Sequence, residues 1–357
     1  MVTLSFIAGL VFLIIGAEAL VRGASRLANI LGVSPLIIGL TVVAFGTSSP
    51  ELAVSIKAAL SGQANIAIGS VVGSNIFNVL FILGLSALVS PLAVSQQLIK
   101  LDVPIMIGLS LLLLILAWDQ RIGRIDGALL FSSLIVYIWF SIRQSQKEKQ
   151  SIKQEYADEF GVNVEDTGKN WITNLALIIT GLVLLIIGSG WLVDSATAIA
   201  KYFGISDLII GLTIIAAGTS LPEVVTSVIA SIRGERDIAV GNIVGSNLFN
   251  IMAVLGLSSI VTGDGIEVPP SVISFDIPVM IAVAFACLPI FFTGGRISRW
   301  EGVVLLTYYF AYTLYLIMAA TDHDALPIFS TSMLYFVIPL TFVTLAIVTL
   351  GSIRRSP

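Results

Sequence analysis

Two copies of one short motif place a carboxylate, a proline and neighbouring hydroxyls together within apolar sequence. Gly46–Glu51 reads Gly-Thr-Ser-Ser-Pro-Glu, and Gly218–Glu223 reads Gly-Thr-Ser-Leu-Pro-Glu. A proline cannot donate a hydrogen bond to the carbonyl four residues earlier, and its ring opens the preceding turn, so each motif predicts a kinked helix. The freed carbonyls, the glutamate one turn later and the hydroxyls of Thr47, Ser48, Thr219 and Ser220 then gather at the break. Oxygen ligands of this kind suit hard cations such as sodium and calcium.

A second motif follows each of these and adds hydroxyl and amide groups. Gly73–Asn78 reads Gly-Ser-Asn-Ile-Phe-Asn, and Gly245–Asn250 reads Gly-Ser-Asn-Leu-Phe-Asn. The serine and the last asparagine are four residues apart, so Ser74 shares a helical face with Asn78, and Ser246 shares one with Asn250. A buried asparagine without a partner is costly, so we predict that these side chains bind the cation or support its ligands.

The composition identifies the environment in which these motifs lie. The 357-residue chain is 57% hydrophobic and 11% charged, with a mean hydropathy of +1.02, whereas a soluble domain has about 25% charged residues. The chain is therefore predicted to be an integral membrane protein. A net charge of -4 leaves no basic surplus for binding nucleic acid. The chain also lacks a Gly-x-x-x-x-Gly-Lys-Ser/Thr motif, so an ATP-driven pump is not supported.

Apolar runs of about 20 residues predict eleven transmembrane helices. The spans are 4–21, 35–56, 66–89, 98–117, 125–142, 171–193, 207–230, 238–261, 273–292, 302–319 and 333–351. Cys287, the single cysteine, lies within the ninth span and is expected to be a core residue. No disulfide or thiolate metal cluster is therefore predicted.

The distribution of Lys and Arg predicts the orientation. Of the 18 basic residues, only Lys57, Arg121, Arg124 and Lys201 fall on the side that follows the even-numbered spans. Because basic residues collect in cytoplasmic loops, we predict a multi-pass protein of the cell membrane with its N-terminus outside and its C-terminus in the cytoplasm. Residues 144–170, the one long polar connection, are expected to form a solvated cytoplasmic linker; a regulatory cation site there is the alternative.

An internal repeat relates the two halves of the chain. Gly39–Ser86 aligns without a gap to Gly211–Ser258, and 25 of the 48 positions are identical. Each half contains five predicted spans, and an odd number inverts the second copy, so we predict the inverted-topology repeat of secondary transporters. The expected organisation is a first five-helix repeat at 1–143, the linker at 144–170, a second repeat at 171–320, and an extra C-terminal helix and tail at 321–357.

The glutamates of the first motif require an explanation in such a protein. A lone ionised residue in a span costs about 2.5–3.5 kcal/mol on insertion scales, so it normally faces a polar interior or a partner. Glu51 and Glu223 occupy equivalent positions, which favours cation ligation. A structural role, or a proton relay without metal binding, is the alternative.

With these motifs, the chain resembles the calcium/cation antiporter superfamily, and in particular its sodium/calcium exchangers, over about residues 1 to 320. The resemblance implies a ten-helix core with cation sites formed by the second, third, seventh and eighth helices, and with the first and sixth helices as gates. It implies Glu51 and Glu223 as the calcium-ligating carboxylates and Asn78 and Asn250 as residues lining the middle. The implied sodium and calcium sites are completed by Thr47, Ser48, Ser74, Thr219, Ser220 and Ser246, and by the carbonyls of Ala44 and Ala216.

Two features depart from the family pattern. The run Met333–Leu350 adds an eleventh helix to the ten-helix core. The potassium-dependent branch typically has aspartate at the position of Asn250, so the neutral side chain here argues against potassium co-transport.

The resulting functional hypothesis is a transporter, not an enzyme, that exchanges sodium for calcium across a lipid bilayer without a cofactor. Calcium/proton exchange and potassium-dependent exchange are the alternatives within the class. A passive cation channel is the competing class, but the polar residues cluster at mid-membrane between apolar flanks rather than along a continuous path. The oligomeric state is not predicted.

The remaining charged groups have simpler expected roles. Asp102 and Asp276 each precede a Val/Ile-Pro pair and are predicted N-caps at the membrane interface. Glu18 and Asp194 are expected at the interfacial ends of the first and sixth spans, with a gating or ion-access role as the alternative. His323 is expected to be solvated.

Overall fold

A computed structural model describes residues 2–160, 171–204, 214, 216–292 and 294–341. Three predicted regions fall partly outside this set. They are the second part of the linker, the start of the seventh predicted span and the end of the eleventh.

The first half of the chain is helical, with two short strands. Its elements are α1 (Val2–Leu31), α2 (Pro35–Thr47), α3 (Ser49–Leu60), α4 (Ile66–Val89), β1 (Leu92–Ala93), α5 (Leu98–Asp119), β2 (Arg121–Ile122) and α6 (Arg124–Phe160). The N-terminus of α2 is capped by Ser34, whose side chain accepts from the Ile37 amide at 3.4 Å, and Pro35 occupies the first turn. α6 extends to Phe160, so the first part of the predicted linker is helical.

The second half has the same order of elements. These are α7 (Trp171–Tyr202), α8 (Ala216–Gly218), α9 (Leu221–Ile232), α10 (Arg236–Val261), β3 (Ile266–Glu267), α11 (Val272–Phe292), β4 (Arg296–Ile297), α12 (Arg299–Ala320) and α13 (Leu326–Thr341). Within the described residues, eight helices are long and apolar enough to cross a membrane, and the bent pair α2–α3 makes a ninth. The all-helical membrane fold is confirmed, and the count of eleven stays a prediction.

The two halves interlock through their strands. β1 pairs with β4 and β2 pairs with β3, both antiparallel, so each two-stranded ribbon joins one strand from each half. α10 is the most enclosed helix, because every residue in its most apolar 18-residue window is buried. The core therefore forms around the second half's glycine-rich helix.

α1 and α7 form a closely packed antiparallel pair. A Cβ atom on Gly9 would lie 2.8 Å from the carbonyl oxygen of Gly188, and one on Gly16 would lie 2.8 Å from that of Gly181. Any larger residue at these positions would therefore clash with the backbone of the partner helix. Glycine at these points lets the two long helices touch along their length.

Several helices contain a widened π turn. Such turns occur at Gly39–Val43, Asn78–Leu83, Leu98–Asp102, Asn250–Leu255, Val272–Asp276 and Met333–Val337. Two of them begin at the predicted site residues Asn78 and Asn250. π turns inside α-helices are frequent at functional sites.

The predicted N-cap roles of Asp102 and Asp276 are wrong. α5 begins four residues before Asp102, and α11 begins four residues before Asp276, so both aspartates lie within a helix. Asp102 is fully buried and makes no capping bond; its carboxylate accepts from Tyr137 at 2.9 Å and from Gln97 at 3.3 Å. Asp276 accepts from Tyr312 at 2.9 Å. Both aspartates connect neighbouring helices.

Candidate functional site

The first motif breaks its helix in both halves, as its proline predicts. α2 and α3 meet at a bend of 44°. The backbone leaves helical values at Ser48 (φ -81°, ψ 6°) and at the equivalent Ser220 (φ -89°, ψ 8°). A new helix then starts beside each break, with Glu51 or Glu223 in its first turn. This position places each carboxylate at the positive end of a helix dipole.

The two motifs exchange hydrogen bonds across the halves. Ser48 Oγ donates to Glu223 Oε1 at 3.0 Å, and Ser220 Oγ donates to Glu51 Oε1 at 2.8 Å. Both glutamates are only 1% exposed, and the second oxygen of each, Oε2, has no described partner. The structure thus brings both carboxylates into one reciprocal arrangement.

The second motif contributes a cluster of four asparagines. Asn78 Nδ2 donates to Asn247 Oδ1, and Asn250 Nδ2 donates to Asn75 Oδ1, each at 3.0 Å. Asn75 and Asn247 also donate to methionine sulfurs in α11 and α5, Met280 at 3.6 Å and Met106 at 3.3 Å. The amide nitrogens of Asn78 and Asn250 are thereby occupied, and their Oδ1 atoms are buried without a described partner.

Asn75 and Asn247 were not among the predicted site residues. Both belong to the Gly-Ser-Asn-x-Phe-Asn motif, so their presence was visible in the sequence. Their role was not, since it depends on a partner in the other half. They accept hydrogen bonds from the amide nitrogens of Asn78 and Asn250. The amide oxygens of these two residues are then the atoms without a described partner.

The two motifs meet through their serines. Ser220 Oγ lies 3.3 Å from Ser74 Oγ, which links the helix break of the second half to α4 of the first. Ser246 is fully buried and its hydroxyl has no described partner.

The threonines and alanines of the site differ between the halves in their contacts and in their exposure. Thr47 is 1% exposed and donates to Asn242 Oδ1 at 3.0 Å, a contact that the sequence did not predict. The Ala44 carbonyl accepts from the Ser48 amide at 3.0 Å, so it has at most one lone pair to offer. Thr219 is partly exposed, and Ala216 lies in the short helix α8.

The site is an enclosed cluster of oxygen atoms that can accept hydrogen bonds or bind a cation. Five buried oxygens without a described partner belong to predicted site residues: Glu51 Oε2, Glu223 Oε2, Asn78 Oδ1, Asn250 Oδ1 and Ser246 Oγ. Among the described residues, neither glutamate forms an ion pair, and no group of three or more His, Cys, Asp or Glu side chains is placed to hold a metal. Two buried carboxylates with only neutral partners must be balanced by a cation or by protons.

A cleft of about 230 Å³ leads towards the site from one side. It lies between α3 and α7 and includes Thr219; its other lining residues are Pro50, Ile186, Ser189, Gly190, Val193, Asp194 and Gly218. Asp194 thus stands in the wall of a passage that reaches a predicted ligand.

The other charged groups are distant from this chemistry. Glu18 pairs with Arg22 on its own helix and with Arg233, whose Nη2 lies 2.6 Å away. His323 is exposed, as predicted. Cys287 is 1% exposed within α11, which confirms its prediction as a core residue.

Comparison with known proteins agrees with this geometry. The family described as sodium/calcium exchanger protein matches residues 1–143 and 173–318. CaxA of Alkalimonas amylolytica, named as a candidate antiporter, is 40% identical over 87% of this chain and 97% of its own. The sodium/calcium exchanger MaX1 of Methanosarcina acetivorans is 35% identical over 88% and 99%.

A solved structure has the same fold. The sodium-calcium exchanger NCX_Mj superimposes with a TM-score of 0.73 at 30% sequence identity, covering 90% of this chain and 99% of that one. The family match spans both halves of the chain, including every residue of the oxygen-lined site. The chain is therefore a member of the sodium/calcium exchanger family, a family of membrane transporters.

Proposed function

We propose that this protein exchanges sodium for calcium and that Glu51 and Glu223 are the charged ligands shared by both ions. The observation that carries the proposal is the reciprocal pair of buried glutamates, each with one oxygen bonded to the other half's serine and one oxygen without a hydrogen-bond partner among the described residues. Calcium favours oxygen ligands of which some are charged, and two carboxylates balance one calcium ion.

The remaining ligands are neutral oxygens. We assign them to the side chains and carbonyls that the two motifs bring together: Ala44, Thr47, Ser48, Ser74, Asn78, Ala216, Thr219, Ser220, Ser246 and Asn250. The unpartnered oxygens of Asn78, Asn250 and Ser246 support this set, because buried acceptors without a partner are costly unless something binds them.

Exchange follows from competition for the same charge. One calcium ion or several sodium ions neutralise the two glutamates, so the two substrates exclude each other. The long α1–α7 pair packs on the periphery of the helices that form the site. Displacement of this pair relative to those helices would open the site to one side of the membrane at a time. We assign the cleft beside Asp194 as a passage for the ions.

Calcium/proton exchange is the principal alternative. It would use the same glutamates, which would release calcium on accepting protons. The two buried carboxylates can serve either exchange. The names of relatives such as MaX1 and NCX_Mj refer to sodium and calcium, which supports sodium as the counter-ion.

The membrane arrangement is part of the proposal. The distribution of Lys and Arg supports a protein of the cell membrane with its N-terminus outside and its C-terminus on the cytoplasmic side. The family match is interrupted between residues 143 and 173, which supports two repeats joined by a linker at 144–170.

Calcium uptake into proteoliposomes tests the proposal. Vesicles loaded with sodium and diluted into sodium-free medium should accumulate calcium with a protonophore present throughout, and vesicles without a sodium gradient should not. Uptake that needs a pH gradient and ignores sodium would identify proton exchange. Uptake that needs no counter-ion would identify a channel.

A further inference from the structure

The two halves of the proposed cation site differ in their hydrogen bonding at Asn242. It is fully buried in α10, and its Oδ1 accepts the hydroxyl proton of Thr47 at 3.0 Å. Its Nδ2 donates to Ser227 Oγ at 2.9 Å and lies 3.5 Å from the Glu223 carbonyl oxygen. Both ends of the amide are thus in use, and its orientation is determined by its partners.

The repeat has no equivalent amide in the first half. At the constant offset of 172 residues, Asn242 corresponds to Ser70, while Thr47 corresponds to Thr219 and Ser227 to Ser55. Serine lacks the length and the paired donor and acceptor of asparagine. Ser55 Oγ, the counterpart of the Ser227 hydroxyl that Asn242 holds, is buried without a described partner.

The direction of the Thr47 proton matters for a cation. A hydroxyl has one proton to donate and two lone pairs to offer, so it is a good cation ligand only when its proton points elsewhere. Another acceptor near Thr47 is the carbonyl oxygen of Ala44, 3.4 Å away. A proton directed there would cover a carbonyl oxygen that belongs to the proposed ligand set.

We propose that Asn242 is a positioning residue for cation binding. It takes the hydroxyl proton of Thr47, which leaves the lone pairs of Thr47 and the carbonyl of Ala44 available to the ion. Asn242 does not touch the ion and acts through Thr47. This inference rests on the proposed function, because it requires Thr47 to be a cation ligand.

Equilibrium calcium binding to the purified full-length protein in detergent, by isothermal titration calorimetry, tests it in a double-mutant cycle. Asn242→Ser copies the residue of the first half and should raise the calcium Kd about tenfold, the equivalent of one ligand interaction. Thr47→Val removes the hydroxyl. In the Thr47→Val background, Asn242→Ser should change the Kd less than about twofold, because its target is already absent.

Two further variants guard against a purely structural effect. Ser70→Ala is the matched control in the other half and should leave the Kd within about twofold of the native value. Asn242→Gln keeps an amide oxygen as an acceptor for Thr47 without adding charge, and should bind calcium at least about threefold more tightly than Asn242→Ser. Thermal unfolding in detergent establishes that each variant is folded.

The outcomes separate the inference from the proposed function. Equal effects of Asn242→Ser with and without the Thr47 hydroxyl, or an Asn242→Gln variant that binds calcium as weakly as Asn242→Ser, would overturn the positioning role and leave sodium/calcium exchange standing. A native protein that binds no calcium would overturn both. The expected coupling, with Ser70→Ala neutral, would support the positioning role.

Discussion

Two regions that the repeat makes equivalent differ in packing and in exposure in this structure. On one side α1 packs against α9, and on the other α7 stands apart from α3 across the cleft. Thr219 lines the cleft and is partly exposed, whereas its counterpart Thr47 is 1% exposed. Val193 likewise lines the cleft, whereas its counterpart Val21 is only 1% exposed. The approach beside α7 is therefore more accessible than the approach beside α1.

The less accessible side, beside α1, carries an ion pair that the equivalent residues of the other side cannot form. Glu18 of α1 is bonded by both Nε and Nη2 of Arg233, in the turn between α9 and α10, and Ser25 donates to Glu235 of the same turn at 2.7 Å. The residues at the positions equivalent to Glu18 and Arg233 are Gly190 and Ser61. The repeat thus preserves the proposed ligands in both halves, while the surrounding contacts differ and make the two approaches unequal in accessibility.

The largest expected loss of transport comes from equivalent substitutions in the two halves. Glu51→Gln and Glu223→Gln should each abolish calcium transport, because an amide keeps the shape of the side chain but removes the charge that offsets calcium's dehydration. Sodium-driven calcium uptake in proteoliposomes measures this. Thr307→Val, on the outer face of α12, is the control and should transport normally. Native uptake by either well-folded glutamine variant would show that the carboxylates are not both required.

Side-specific labelling would assign the two approaches to the two faces of the membrane. A cysteine at Ser151 should react with a membrane-impermeant maleimide only from the cytoplasm, and one at Asp322 only from outside, because the basic residues define the cytoplasmic loops. The native Cys287 is buried and should stay unlabelled in intact protein. Labelling of both engineered cysteines from the same side would contradict the eleven-helix arrangement.

The difference in exposure between the two approaches predicts a difference in reactivity. A cysteine at Val193 should react with a methanethiosulfonate reagent at least about tenfold faster than one at Val21, since only the first lines the cleft. The rates are measured under the same conditions in detergent. Equal rates would mean that both approaches open to a similar extent in solution.

The ion pair between α1 and the turn after α9 predicts a smaller change. Glu18→Gln removes the charge that Arg233 contacts and should raise the labelling rate of the Val21 cysteine about threefold, because a partly exposed pair contributes on the order of 0.5–1 kcal/mol. Gly190→Ala, at the equivalent position of α7, should leave that rate unchanged. No response to Glu18→Gln would assign the closure to apolar packing alone.

Potassium should have the smallest effect. Asn250 and its repeat partner Asn78 are both neutral, so the two glutamates balance one calcium ion with no carboxylate left for potassium. Exchange measured in sodium and choline media without potassium should match exchange with potassium added. Activity that vanishes without potassium and returns with it would show that the charge argument is wrong.

The sequence by itself determined the membrane class, most helix positions and the broken helices. Apolar runs predicted spans such as 66–89 and 98–117, and the observed helices Ile66–Val89 and Leu98–Asp119 agree. The prolines predicted the breaks, because a missing amide proton acts on its own turn. The two motifs contained every residue that we propose as a ligand except Ala44 and Ala216, which lie two residues before the first motif in each half. These properties were readable because they depend on neighbours within a few residues along the chain.

Only the tertiary structure decided which groups those residues meet. Asp102 was predicted as a cap from its local sequence, but its partner Tyr137 lies 35 residues away on the next helix. Ser48 meets Glu223 and Thr47 meets Asn242 across 175 and 195 residues. The two repeats, identical at 25 of 48 aligned positions, also differ in the accessibility of their approaches, because each is surrounded by different residues. Hydrogen bonds and ion pairs across such separations depend on how the helices pack, which no local pattern encodes.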